Sequence, residues 1–244
     1  MTAPLFPGGV AVSRLQVYDW EAQDGLRGGS PHLHTASSEG YVVTSGSGEV
    51  HTVSAAGRGI HRLVPGEVVW FSPGTVHRLV NHGGLELVVV MQNAGLPEAG
   101  DAVMTFPSDV LDDPEAYAAA ATLPAEGTDD ERAAAARARR DLAMRGYGEL
   151  LAALEERGPA ALTELHERAA RLVRPRVERW RRLWAATVEA ETARTRDALT
   201  RLADGMPGLM ADAAVTRGDR DDGPRGFGMC GRLQTWEWPV PPLL

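Results

Sequence analysis

Lysine is absent from this sequence of 244 residues, in which all 25 basic residues are arginine. Without a lysine amine the chain has no group for Schiff-base chemistry, none to anchor pyridoxal phosphate, and none to complete a phosphate-binding P-loop. Arginine replaces lysine over the whole sequence, which is the pattern of a coding bias. The exclusion of lysine chemistry holds whatever its cause.

Cysteine is almost absent as well. The single Cys230 excludes an intrachain disulfide and any cysteine-cluster metal site. There is no apolar run long enough to span a bilayer and no secretory-type N-terminus. A formal net charge of -8 gives no general attraction to nucleic acids or anionic membranes. We therefore expect a cytoplasmic protein with no nucleic-acid and no membrane partner.

Hydrophobic periodicity divides the chain into parts. Residues 10–93 contain short alternating runs of valine-rich sequence separated by glycine and proline, which predicts an antiparallel barrel or sandwich. The predicted organisation is a β-barrel domain at 1–100, a helical extension at 101–210, and a loop with a C-terminal strand at 211–244. That last strand would pack back on the barrel or on a partner. The fold class is mainly β with an α-helical C-terminal region, α+β overall.

Helix signals begin after residue 93. Asp113 and Pro114 predict an N-cap and first turn, and the capping box at 128–131 predicts a helix to about Arg145, interrupted by the glycines at 146 and 148. Gly158 and Pro159 predict a second interruption. Two apolar stripes follow, separated by Pro175: Leu162, Leu165, Ala169 and Leu172, then Val177, Trp180, Trp184 and Val188. In the tail, Trp236 and Trp238 would share one face of an edge strand that Pro239 ends.

Histidine is scarce, with 7 residues, yet two of them lie two positions apart at His32 and His34. On a strand, side chains at i and i+2 point to the same face, so both imidazoles can be directed at one point. Glu39 lies far enough along the chain to reach that point from the next strand, and His77 follows a Pro-Gly turn. Three imidazoles and a carboxylate suit one divalent ion such as Fe, Mn, Ni, Co or Zn, with open positions left on a metal that prefers six ligands.

These residues carry a resemblance to a known family. The spacings in His32-x-His34-x4-Glu39-x6-Gly46 and Gly66-x6-Pro73-Gly74-x2-His77-x3-Asn81 resemble the two motifs of the cupin superfamily. The second motif departs by one residue between Gly66 and Pro73. The resemblance covers about residues 10–93 and implies a jelly-roll barrel with His32, His34, Glu39 and His77 around one metal. It implies nothing about the rest of the chain.

Several functions remain open for such a site. A metal in an apolar barrel supports dioxygenase chemistry, or Lewis-acid chemistry of the isomerase, epimerase or decarboxylase type, on a small oxygenated metabolite. The alternative is a non-catalytic module that binds a small molecule for sensing or storage, and a DNA-binding regulator is a weaker idea. Tyr41 shares the face of Glu39 and is the candidate catalytic side chain. We expect a homodimer, with the helices and the last strand forming either its interface or a lid over the barrel.

The pattern G-x-G-x-x-G occurs at 226–231, but we do not expect a dinucleotide-binding site there. A strand-like sequence follows it, where a phosphate cradle requires the start of a helix.

Overall fold

The computed structural model describes residues 6–220 and 222–237. Trp238 and Pro239, which enter the prediction for the last strand, lie outside the described residues. Within the described part of the chain, no helix is both long and apolar enough to cross a bilayer.

A nine-stranded antiparallel sheet builds the barrel. Its strands are β1 (Ala11–Val17), β2 (His32–His34), β3 (Glu39–Ser54), β4 (Gly57–Leu63), β5 (Val68–Phe71), β6 (Val76–Met91) and β7 (Ala102–Met104), together with β9 (Gly226–Phe227) and β10 (Gly231–Gln234). A separate ribbon pairs β8 (Asp219–Arg220) with β11 (Trp236–Glu237).

Two long strands form the centre of the sheet. β3 and β6 pair in two blocks, with the register interrupted between Val43 and Gly48. Gly46 lies at this irregularity with a positive φ of 72°, and a Cβ there would collide with the backbone of Gly84. This close approach explains why the first motif requires a glycine at this position.

The C-terminal part of the chain returns to the barrel. β10 pairs with β1 in antiparallel register, with Leu233 opposite Leu15, and β9 extends the sheet by one further strand. β10 therefore lies beside β1, in place of the helix that a dinucleotide cradle would need after Gly231.

Helices occupy the chain between β7 and β8. They are α1 (Ser108–Leu111), α2 (Pro114–Ala121), α3 (Asp129–Arg157), α4 (Ala160–Val173), α5 (Val177–Trp184) and α6 (Ala190–Ala203), with a π-turn over Ala185–Glu189. Asp113 caps α2, and the capping box at Thr128 and Glu131 starts α3, as the sequence predicts. Gly158, with φ 62°, separates α3 from α4.

The prediction that α3 ends near Arg145 is wrong, because the helix continues through both glycines to Arg157. Gly146 packs directly on the chain after β7, where a Cβ would collide with the backbone of Thr105 and Phe106. The glycine permits close packing of a helix on the barrel, and it does not break the helix.

The second apolar stripe differs from the prediction in one turn. Trp180 is buried and donates its indole N–H to Ala99 O, whereas Trp184 is 39% exposed and Leu183 takes the buried position. Thr187 Oγ1 donates to Leu183 O where the π-turn follows. The buried face of this helix therefore passes through Trp180, Leu183 and Thr187, each of the last two one residue before the predicted Trp184 and Val188.

Two apolar clusters hold the fold together. One fills the barrel and includes Tyr41, Leu79 and Leu87. The other joins β2 and β7 to the helices and includes Leu33, Val103, Phe106, Leu165 and Trp180, together with the whole first stripe of α4. The helical extension is thus packed on the strand that carries His32 and His34.

Candidate metal centre

Local structure brings the four predicted side chains together. His32 and His34 lie on β2, Glu39 is the first residue of β3, and His77 lies on β6 directly opposite His32. The turn at Pro73 and Gly74 precedes β6. Gly74 has a φ of 83° there and donates its N–H to His34 O at 2.8 Å, which fixes His77 beside β2. All four residues are buried.

Their donor atoms converge on one point. His32 Nε2 lies 3.1 Å from His77 Nε2, while Glu39 Oε2 lies 3.0 Å from His77 Nε2 and 3.3 Å from His34 Nε2. All four ligand atoms lie within 4.8 Å of one another. Two ligand atoms that each lie about 2.1 Å from an ion are about 3.0 Å apart when the ligand–ion–ligand angle is about 90°. The cluster therefore has the dimensions of one coordination sphere.

The orientation of two rings supports the same interpretation. His32 Nδ1 lies 2.9 Å from Ser30 O and His77 Nδ1 lies 3.1 Å from Thr75 O. Because a carbonyl oxygen only accepts, each Nδ1 carries the proton and each Nε2 presents a lone pair. These lone pairs face each other, and Glu39 Oε2 is buried without a well-aligned hydrogen bond. A cation between these atoms would satisfy all three.

Charges within the cluster are strongly coupled. Burial, together with nearby His77 and His34, holds the pKa of His32 well below its ordinary value, so this ring is neutral at pH 7. Burial opposes ionisation of Glu39, yet His77 and His34 keep the pKa of its carboxyl well below the usual range. A neutral imidazole beside a carboxylate is the protonation state that a divalent ion requires.

Asp101 is a site residue that sequence reasoning missed. Its buried carboxylate accepts from the backbone N–H groups of Thr35, Ala36 and Ser37, and Oδ2 lies 3.5 Å from His34 Nδ1. Burial alone would lower the pKa of His34, but Asp101 and Glu39 on either side of the ring raise it to about 9. Asp101 thus orients both the loop that follows β2 and the imidazole ring of His34, which it approaches on the Nδ1 side. No local signal marks it, since it lies far along the chain from His34.

Tyr41 is buried beside the cluster. Its ring contacts Phe71 and lies 6.5 Å from the His77 ring, measured between centroids, and its hydroxyl has no hydrogen-bond partner. Burial and the charge of Glu39 raise the pKa of Tyr41 well above its ordinary value, so the phenol stays protonated. Tyr41 does not line the cavity described next, and its catalytic role stays a prediction.

A cavity of about 840 Å³ opens on the cluster. His32, His34 and Glu39 form part of its wall. Three parts of the chain supply the remainder, including Leu15, Val89 and Met91 from the barrel, Arg139, Leu183 and Thr187 from the helical region, and Phe227, Met229, Cys230 and Leu233 from the C-terminal segment. This volume is in the usual range for small-molecule sites.

The other histidines and two barrel glutamates lie elsewhere. Glu49 bonds His51 and lies 3.3 Å from His82, and Glu67 accepts the N–H of Val64, so both carboxylates are engaged outside the cavity. His166 of α4 is half-buried, and its Nε2 donates to Gly74 O at 2.8 Å because α4 packs against the turn that precedes His77.

Comparison with known proteins agrees with this geometry. Residues 19–92 match the family model described as "Cupin domain", a range that includes all four clustered side chains. The chain therefore contains a cupin domain with a C-terminal helical region. No curated protein matches the chain.

Several solved structures are similar to part of this chain. An uncharacterised conserved Klebsiella pneumoniae protein with a double-stranded β-helix domain is 19% identical, over 39% of this chain and 77% of its own, with a TM-score of 0.30. The Streptomyces nucleoside dehydratase Pac13 is 18% identical over 42% of this chain and 72% of its own, with a TM-score of 0.31. A Bacillus subtilis oxalate decarboxylase variant is 17% identical over 47% of this chain and 29% of its own, with a TM-score of 0.36.

Proposed function

We propose that this protein is a metal-dependent enzyme that acts on a small oxygenated metabolite in the cavity. His32, His34, Glu39 and His77 would hold one divalent ion of Fe, Mn, Ni, Co or Zn. The supporting observation is the convergence of four buried donor atoms at distances of one coordination sphere, with Nε2 of His32 facing Nε2 of His77 and no well-aligned hydrogen bond to Glu39 Oε2. Such an ion supplies either dioxygenase or Lewis-acid chemistry, the latter in isomerase, epimerase or decarboxylase reactions.

The protein's own groups have defined tasks in this proposal. Ser30 O and Thr75 O hold the protons of His32 and His77 on Nδ1, so that both Nε2 atoms stay available as ligands. Apolar walls formed by Leu15, Val89 and Met91 exclude water beside the cluster. Among the described residues, the carboxylates lining the cavity are Glu39 and Glu98, and Glu98 accepts the N–H of Gly95 at 3.0 Å. This shortage of free acid–base groups favours chemistry at the metal over side-chain proton transfer.

Metal analysis of the purified protein is the first test. We expect one ion per chain, loss of that ion in His77→Gln, and retention in His82→Gln, whose ring is exposed and outside the cluster. Oxygen-uptake, carbonyl-isomerisation and decarboxylation assays on sugars, diketones and phenols then test the reaction. A protein that takes up none of the five metals would contradict the proposal. Bound metal without turnover would favour the binding-module alternative for sensing or storage.

The predicted cytoplasmic location and homodimer belong to this proposal as well. The cavity wall is assembled within one chain from the barrel, the helices and the C-terminal segment. This arrangement supports the lid interpretation of the helical region, and a dimer is compatible with it.

A further inference from the structure

Arg139 of α3 lines the same cavity as the histidine cluster, but it lies outside the matched cupin domain. Its side chain is largely buried between two segments. Nη1 donates to Ala121 O at 3.1 Å and Nη2 donates to Gly228 O at 2.7 Å. The arginine therefore joins the end of α2 to the C-terminal segment that carries Met229 and Cys230 into the cavity wall.

The charge of Arg139 is not compensated by the protein. Within residues 6–220 and 222–237 it forms no ion pair, and the ionisable groups that affect it are Tyr18, Tyr117 and Cys230. Burial raises the pKa of all three of these groups, so all three are neutral at pH 7. Burial lowers the pKa of Arg139, although a guanidinium remains charged at neutral pH. A desolvated charge without a counterion is unfavourable, which makes this position unusual.

Other buried arginines in the structure are compensated. Arg78 forms an ion pair with Asp24, and Arg140, the next residue after Arg139, bonds Asp141 as well as three backbone carbonyls. Arg139 uses two of the five N–H groups of its guanidinium on carbonyl oxygens, and Nε is buried without a partner. Its fork retains the donors that bind an oxyanion in bidentate geometry.

We propose that Arg139 is a specificity-determining residue that binds an anionic oxygen group of the ligand, so that the ligand class is a small carboxylate or another oxyanion. This inference rests on the proposed function, because it names the ligand class for the same cavity. A ligand in the cavity would present one oxygenated end to the histidine cluster and its anionic group to Arg139. Apolar lining from Leu15, Leu183 and Leu233 would contact the carbon skeleton between them.

The test compares charged and neutral probes of equal shape. Binding of 4-fluorobenzoate, 4-fluorophenylacetate and 4-fluorophenylpropanoate to the full chain would be measured by 19F NMR against the matching amides, phosphonates and sulfonates. The measurement is made on metal-free and on zinc-loaded protein. We expect at least one carboxylate or other oxyanion to bind more than 10-fold tighter than its amide in both forms. Equal affinities for acids and amides across the series would overturn the inference without any variant.

Variants assign the preference to one side chain. Arg139→Gln should abolish it, and Arg139→Lys, which keeps a charge without the fork, should retain part of it. Two controls should keep it in full: Arg179→Gln, which removes an exposed arginine of the same cavity, and Arg137→Gln, which removes an arginine that covers the Trp20 ring outside it. Circular dichroism and metal content show that each variant is folded.

The outcomes separate this inference from the proposed function. Anion preference that survives Arg139→Gln in the folded protein and requires zinc would assign anion binding to the metal, which overturns the role of Arg139 and leaves the metal centre intact. Preference that is lost in Arg139→Gln, in a protein that takes up no metal, would support Arg139 and contradict the metal-dependent enzyme.

Discussion

Replacing Asp101 with asparagine changes one atom of the site while keeping its shape. Oδ1 of Asp101 accepts from Thr35 N at 2.8 Å, Thr35 Oγ1 at 2.6 Å and Ala36 N at 2.7 Å, and an amide oxygen can take all three bonds. Oδ2 accepts from Ser37 N at 3.0 Å and lies 3.5 Å from His34 Nδ1. In Asp101→Asn this second atom becomes an NH₂ group, which faces two donors.

The cost has two separate parts. One buried N–H, that of Ser37, loses its acceptor, and the three retained bonds lose their charged partner. From typical values of about 1–3 kcal/mol for an unsatisfied buried group and about 1 kcal/mol for each of the three bonds that lose their charged partner, the free energy of unfolding should fall by about 4–6 kcal/mol. The loss of the carboxylate behind His34 should also weaken metal binding by about 10–100-fold, or about 1.4–2.7 kcal/mol.

Both quantities are measurable on the same protein. Urea unfolding of the metal-free form gives the stability change, and titration with Zn²⁺ against a competing chelator gives the affinity. Asp24→Asn is a matched control, because it lowers stability by breaking the ion pair of buried Arg78, whose side chain points to the face of β6 opposite to that of His77. If Asp101→Asn lost stability but kept wild-type metal affinity, as Asp24→Asn should, Asp101 would serve the loop alone and our reasoning about His34 would be refuted.

Three further predictions follow from the structure. Because His34 has a raised pKa of about 9, it is protonated at pH 7 without metal. Zn²⁺ binding at pH 7 should then release about one proton, which calorimetry in buffers of different ionisation enthalpy measures. The apparent affinity for Zn²⁺ should rise with pH up to about 9. Zinc binding without proton release would contradict the His34 assignment. Gly146→Ala should lower the free energy of unfolding by about 2 kcal/mol or more through collision with Thr105, while Gly148→Ala, with open space around it, should raise it by up to about 1 kcal/mol. Light scattering should give the mass of a dimer. The mass of a monomer would contradict the dimer and would leave the lid as the interpretation of the helices.

The cluster of His32, His34, Glu39 and His77 could be predicted because each of its two distant parts carries a recognisable local spacing. Alternation on a strand places His32 and His34 on one face whatever the remainder of the barrel does. The cupin-like spacing then added Glu39 and His77, and among the described residues these four side chains form a group that could hold a metal. The motif glycines carry the same kind of information, since Gly46 and Gly74 both occupy positive φ.

The remaining site residues were not predictable, because they act across long distances in the sequence. Asp101 resembles any other turn aspartate until the fold brings it to His34. Arg139 is one of 25 arginines in the chain, and its neighbours on α3 are arginines as well. Gly146 misled the analysis for a related reason, because a glycine permits a helix break and a close contact equally, and only the position of Phe106 decides between them.

Asp101 and Arg139 both lie outside residues 19–92, which suggests how the work of the site is divided. The cupin domain supplies every atom of the candidate coordination sphere, so in our proposal it determines whether a metal binds. The extension supplies the carboxylate behind His34 and the cation on the cavity wall, so we expect it to determine how firmly a metal is held and which ligand enters. Exchanging Arg139 should change the ligand while preserving metal binding, and the affinity of Arg139→Gln for Zn²⁺ measures this directly.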